Sequence, residues 1–186
     1  MHLNARLCKT VALVGMMGAG KTAVGTQLAR RLGVPFLDSD EEITRAAAMS
    51  VAEIFARDGE AFFRARETEV LRRLLDGPPC VLSTGGGVFL SATNRALIGA
   101  RGVSVWLEAD LGLLWSRVQH RTTRPLLQTD DPYATLQRLH AERSPVYALA
   151  DIAVRAEAGL SVDAMAERVQ QALMQRDDLF TVGRDA

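Results

Sequence analysis

Gly15-Met16-Met17-Gly18-Ala19-Gly20-Lys21-Thr22 follows the apolar run Thr10-Val11-Ala12-Leu13-Val14 and precedes Val24, Leu28 and Leu32 at i, i+4, i+8. The apolar run reads as a buried strand. The spacing behind the glycines predicts a helix over Ala23 to Leu32, stopped by Gly33 and Pro35. The eight residues between fit Gly-x-x-x-x-Gly-Lys-Ser/Thr, a phosphate-binding loop, at the point where a strand turns into a helix. Gly18 and Gly20 permit backbone conformations that a side chain forbids. Successive N–H groups of Gly18, Ala19, Gly20, Lys21 and Thr22 can then aim at phosphate oxygens, at the positive end of the helix dipole. Lys21 would reach the β and γ phosphates, and the Thr22 hydroxyl would hold Mg²⁺. The competing reading is a glycine-rich turn with a chance Lys-Thr, and the flanking strand and helix weigh against it.

At 186 residues the chain is expected to form one domain. A chain of this size buries roughly 70% of its unfolded surface without staples. Lys+Arg and Asp+Glu both number 22, so no basic excess calls for nucleic acid. Cys8 and Cys80 are far apart beside apolar runs, and no Cys-x-x-Cys occurs, so buried reduced thiols are expected. The run from Val11 to Ala19 is too short for a membrane span and leads to no signal-cleavage pattern. A soluble, cytoplasmic monomer acting on small molecules is expected.

Further strands are predicted at Pro35-Phe36-Leu37, Cys80 to Ser83, Val103 to Leu107 and Asp151 to Val154. Helices are predicted at Glu41 to Met49, from the Ser50-x-x-Glu53 capping box to near Gly59, and over Glu60 to Leu75. Others are predicted from Ser91 to Ile98, Leu111 to His120, Ala134 to Leu149 (interrupted at Pro145) and Val162 to Gln175. Met1 to Lys9 reads as a lead-in, Arg121 to Tyr133 as a structureless lid, and Arg176 to Ala186 as a loose polar tail. Strands alternating with helices give an α/β fold with a parallel sheet, whose ligands bind at the carboxyl ends of the strands.

Three motifs fall at such ends. Asp38 and Asp40 follow the second strand: one carboxylate could bind Mg²⁺ and the other accept the proton of an attacking hydroxyl, or the pair could merely cap the next helix. Thr84-Gly85-Gly86-Gly87 follows the third strand and is either a flexible turn or bare backbone for a substrate to lie against. Arg64 and Glu67 can meet on one helix face, as a surface pair or as a fork for a substrate carboxylate. Arg124 in the lid could bring positive charge to the γ-phosphate, with Arg117 on the helix before it. Arg143 is a further candidate anion contact. His2, His120 and His140 show no ligand spacing.

Together these residues resemble the shikimate kinase family over about Thr10 to Leu173. The motifs are Gly15 to Thr22, Asp38-Ser39-Asp40, Asp58-Gly59-Glu60 with Phe63-Arg64-x-x-Glu67, Gly85-Gly86-Gly87, Arg124-Pro125-Leu126-Leu127 and Glu142-Arg143-Ser144-Pro145-Val146-Tyr147. The resemblance implies a P-loop NTPase fold, nucleoside monophosphate kinase-like, with a five-stranded parallel sheet in the order 2-3-1-4-5. It implies one kinase domain (core about 10–173) with a substrate-binding segment at about 38–67 and a mobile lid at about 121–133. The implied reaction moves the γ-phosphate of ATP to the 3-hydroxyl of shikimate, a step in making aromatic amino acids. Asp40 would hold and help deprotonate the hydroxyl. Asp38 would assist Mg²⁺ with Thr22. Arg64 and Arg143 would clamp the shikimate carboxylate beside Gly86 and Gly87, with Glu67 orienting Arg64. Lys21 and Arg124 would act at the phosphates, and Arg117 would lie against adenine.

After the fifth strand the family usually has an Asp and then a Pro beside adenine; here stand Val154-Arg155 and, near the place of the Pro, Val162. ATP use is expected to survive, because base contacts there are often made by backbone. A gluconate kinase-type enzyme would share the loop, the fold and an anionic polyol substrate, but the paired arginines and the triple glycine favour shikimate. A nucleoside monophosphate kinase fits less well, since Asp40 suits a neutral hydroxyl. A non-catalytic nucleotide-binding regulator would be expected to lack Lys21, Asp40 or Arg124.

Overall fold

The computed structural model describes residues 5–121 and 125–182. Among them the order is β1 (Ala5–Leu7), β2 (Thr10–Val14), α1 (Lys21–Leu32), β3 (Phe36–Asp38), α2 (Ser39–Ala47), α3 (Val51–Leu75) and β4 (Val81–Ser83). There follow α4 (Ala92–Arg101), β5 (Gly102–Glu108), α5 (Leu111–Val118), α6 (Pro132–Tyr147), β6 (Ile152–Arg155), α7 (Val162–Leu173) and β7 (Phe180–Val182). Short 3-10 turns lie at Val88–Leu90, Pro125–Leu127 and Asp177–Leu179.

Five strands form a parallel sheet in the order β3-β4-β2-β5-β6. Counting from β2, this is the expected 2-3-1-4-5. All five residues of β2 are buried, which is why its sequence shows no polar alternation: helices cover both faces of such a sheet. Helix α1 buries Val24, Gly25, Leu28 and Ala29. A β-carbon on Gly25 would stand 2.6 Å from the Phe36 ring, so glycine lets α1 settle on β3. Each fully buried leucine, such as Leu13, Leu28 and Leu82, contributes about 1.5–3 kcal/mol.

The helix ends follow the sequence signals. Gly33 stops α1 in the left-handed conformation at φ 65°. Ser50 and Glu53 form the full capping box. The two expected helices meeting near Gly59 form α3, kinked where Gly59 takes φ 83° and ψ 172°.

Several expectations need correction. Helix α2 begins at Ser39 rather than Glu41, because Asp38 caps it. Helix α4 runs past Ile98 to Arg101. Helix α6 starts at Pro132, capped by Asp131, and runs unbroken through Pro145. The proline lies in the last turn, where little helix remains to lose. The stretch expected to be a structureless lid therefore contains the turn Pro125–Leu127 and the first turn of α6. The tail is not loose up to Val182: β7 pairs antiparallel with β1. Fully buried Leu179 anchors it, and Asp178 takes Lys9 at 2.7 Å and Arg176 at 2.8 Å. Cys80 is buried as expected, whereas Cys8 is exposed.

Candidate active site

The loop between β2 and α1 carries the expected glycine geometry. Gly18 and Gly20 take φ 80° and 95°, and a β-carbon on Gly18 would strike Val118 Cγ1 at 2.7 Å. Helix α1 has Gly20 as its N-cap, with no side-chain cap and no acidic residue in its first turn. Its first N–H groups and the positive dipole end thus face the loop, a ready anion site. Lys21 folds back over the loop, its Nζ donating to the carbonyls of Gly15 at 2.8 Å and Met16 at 3.0 Å. From α5, Arg117 Nη1 donates to the carbonyls of Gly18 at 3.1 Å and Ala19 at 3.3 Å. Thr22 follows Lys21 in the first turn.

Across from this loop lies the end of β3. Asp38 Oδ1 accepts from the backbone N–H groups of Asp40 at 2.9 Å and Glu41 at 3.3 Å. The capping reading is therefore realised, and both capping bonds use the same oxygen. Burial pushes the Asp40 carboxyl above its ordinary value, and the neighbouring Asp38 adds to the rise. Lys21 and Arg64 act in the opposite sense, so all four groups share one field.

The glycines after β4 meet these side chains directly. A β-carbon on Gly85 would stand 2.6 Å from Asp40 Oδ1. One on Gly86 would stand 3.2 Å from Arg143 Nη1, and one on Gly87 would stand 2.8 Å from Arg64 Cζ. Arg64 also donates through Nη1 to both oxygens of Glu67, at 2.9 and 3.1 Å. Glu67 is 3% exposed, which is not the surface ion pair that i, i+3 spacing usually means. Burial raises the Glu67 carboxyl, Arg64 opposes the rise, and the Asp40 charge adds to it. A cavity of about 320 Å³ opens here, lined by Glu60, Arg64, Glu67, Gly87, Asn94 and Arg143 among others.

The structure thus brings together Lys21, Asp38, Asp40, Arg64, the three glycines and Arg143. Arg124 lies outside the described residues. Arg117 is found on the phosphate loop, while β6 ends at Arg155 and Val162 opens α7, 46% exposed. His140 Nε2 lies 3.2 Å from the carbonyl oxygen of Ala109.

Three supporting side chains have roles that the sequence reading does not assign. Ser39, 1% exposed, accepts the Gly85 N–H on Oγ at 3.0 Å. Buried Asn94 donates to the Val88 carbonyl at 3.0 Å and accepts from Thr68 at 2.8 Å, fixing the turn after the glycines to α3. The Tyr147 hydroxyl donates to the Gly86 carbonyl at 2.7 Å. The signal for Ser39 was its place between two aspartates, and for Tyr147 its place one helical turn after Arg143.

Among the described residues, no group of three or more His, Cys, Asp or Glu side chains could hold a metal ion. None of the described helices is long and apolar enough to cross a membrane.

The shikimate kinase family model matches residues 17–174. The chain is 63% identical over 179 residues to a shikimate kinase of Cereibacter sphaeroides, covering 96% of this chain and 89% of the relative. It is 61% identical over 176 residues to that of Ruegeria pomeroyi, covering 95% and 90%. Its fold matches the shikimate kinase of Acinetobacter baumannii in complex with shikimate, at a TM-score of 0.84 and 38% identity, covering 90% of this chain and 94% of that one.

Proposed function

We propose that this chain, which belongs to the shikimate kinase family, transfers the γ-phosphate of ATP to the 3-hydroxyl of shikimate. The products are shikimate 3-phosphate and ADP, in the route to chorismate and the aromatic amino acids. The observation that carries this reading is the convergence of Asp40, Arg64 and Arg143 on one glycine loop facing the phosphate loop.

The donor half is the loop from Gly15 to Thr22. Its N–H groups and Lys21 hold the β and γ phosphates. For the acceptor, Arg64 and Arg143 grip the shikimate carboxylate against Gly86 and Gly87, and Glu67 keeps Arg64 in place. Asp40 takes the proton of the 3-hydroxyl as its oxygen bonds to the γ-phosphorus and the bond to the β-phosphate oxygen breaks. A carboxyl raised above its ordinary value holds that proton better than an exposed one, which suits it to general-base work. Because the transition state is loose, placing the hydroxyl in line matters as much as basicity.

Mg²⁺ fits this site as a partner of the nucleotide rather than as a caged ion. The described residues offer no three-ligand cluster, as is usual for an ion that uses one or two carboxylates plus phosphate oxygens. Thr22 and Asp38 would hold it, and when bound it would neutralise charge developing on the phosphates. Arg124, from a lid at about 121–133, is assigned to the same phosphates and Arg117 to the adenine side. The chain is further read as one cytoplasmic kinase domain acting as a monomer.

The test is ADP release with shikimate, quinate and gluconate, with and without Mg²⁺. Mg²⁺-dependent turnover is expected with shikimate. Turnover on gluconate but not shikimate would overturn the substrate assignment, and none on any of them would favour a regulatory nucleotide-binding role. Light scattering should give the mass of one chain.

A further inference from the structure

Tyr147 is fully buried and lies one helical turn beyond Arg143 on α6. Its hydroxyl donates to the Gly86 carbonyl at 2.7 Å, and the charge of the nearby Arg143 guanidinium is felt at the phenol. Arg143 Nη1 and the phenol oxygen stand 3.2 and 3.7 Å from the position of a β-carbon on Gly86, so the three groups meet at one point. The ring packs against Trp106 of β5, with centroids 6.4 Å apart.

Packing alone does not account for the hydroxyl. A buried hydroxyl costs free energy unless it is bonded, and phenylalanine would fill the same space. An arginine side chain carries much rotamer freedom, which it must lose to hold an anion in fixed geometry. A buried phenol one turn away, tied to the Gly86 backbone against which Arg143 lies, removes part of that freedom before the substrate arrives. Helix α6 keeps this spacing because it runs on through Pro145.

We propose that Tyr147 is a positioning residue for substrate binding, fixing the Arg143 guanidinium against the Gly86 backbone so that it meets the acceptor's carboxylate preformed. This rests on the shikimate kinase reading. Tyr147 acts through Arg143 and touches no reacting atom.

Tyr147→Phe removes one oxygen and keeps the ring. Losing the hydroxyl that ties the Gly86 backbone beside the Arg143 guanidinium should raise the KM for shikimate about tenfold, with kcat and the KM for ATP unchanged. In an Arg143→Lys background the same change should have little further effect, because the two residues act as a unit. With an analogue bearing a primary alcohol in place of the carboxylate, wild type and variant should be equal in kcat/KM. If the variant melts too early for steady-state assays, shikimate titration calorimetry at low temperature reads the same difference as Kd. An unmoved KM, an equal rise in the KM for ATP, full additivity with Arg143→Lys, or the same penalty on the alcohol would each overturn the inference. Wild-type turnover of shikimate is the separate control: its absence removes the functional reading, whereas its presence with an unmoved variant removes this inference alone.

Discussion

Asp40→Asn should separate stability from catalysis. Asp40 is half-buried beside Asp38, with the Gly85 backbone closed against its carboxylate. Its folded-state proton affinity is raised, chiefly by burial and next by Asp38. A carboxyl raised in this way penalises the folded state once it ionises. The penalty is absent below the ordinary value of 3.8, where both states hold the proton, and is full above the raised folded value. Stability contributed at this site therefore falls as pH rises through that window.

Asparagine keeps the shape and carries no charge at any pH. The variant should gain about 1 kcal/mol at pH 8, which raises the melting temperature by about 2–4 °C in a domain of this size. The gain should shrink toward pH 4. The same change should cost about 10²- to 10⁴-fold in kcat, the usual contribution of a positioned proton acceptor, with nucleotide affinity unchanged. The assays are coupled ADP release, ATP titration and thermal melts at pH 8 and pH 4. A variant less stable than wild type at pH 8, or a gap widening toward pH 4, would refute the electrostatic argument. An unchanged kcat would remove Asp40 from proton transfer.

Alanine at two neighbouring glycines should give two different defects. At Gly85 the new β-carbon displaces the Asp40 carboxylate, so kcat should fall about 10²-fold, as for a misplacement of about 1 Å; at Gly87 it displaces Arg64, so the KM for shikimate should rise about tenfold with a smaller change in kcat. Equal kinetic profiles for the two variants would contradict the assignment of separate partners. Ser50→Ala removes one half of the capping box at α3 and should cost about 1 kcal/mol, seen in urea unfolding, with the KM values unmoved.

Much of the fold was legible because its signals are local. Thr10 to Val14 is apolar throughout since β2 is covered on both faces. Ser50 and Glu53 read as a cap because they bond to each other's backbone. Gly59 marked a boundary because its backbone leaves the helix there. What stayed hidden depends on distant partners. The pairing of Leu7 with Phe180 joins opposite ends of the chain, and no polar count across the tail reveals it. Asp38 left two readings open because capping and metal binding ask for the same residue type at the same strand end. The burial of Glu67 depends on elements packed over α3, which i, i+3 spacing does not carry.

The triple glycine shows why the site itself was only half visible. Glycine in a turn usually means a left-handed backbone, yet none of Gly85, Gly86 and Gly87 takes a positive φ. The backbone conformation itself does not demand glycine, so left-handed geometry is not what the glycines provide. They provide room: Asp40 from α2 and Arg64 from α3 stand where β-carbons at 85 and 87 would intrude, and Arg143 from α6 lies 3.2 Å from the place of one at 86. A short backbone segment fixed at both ends, by the Ser39 bond to Gly85 and by the Asn94 bond to the Val88 carbonyl, becomes the common reference for three side chains on three helices. Their mutual positions are then referred to one strand end as well as to the packing of their helices. That common reference is what an in-line transfer requires, because the proton acceptor and the carboxylate grip must be held in register on one small ring.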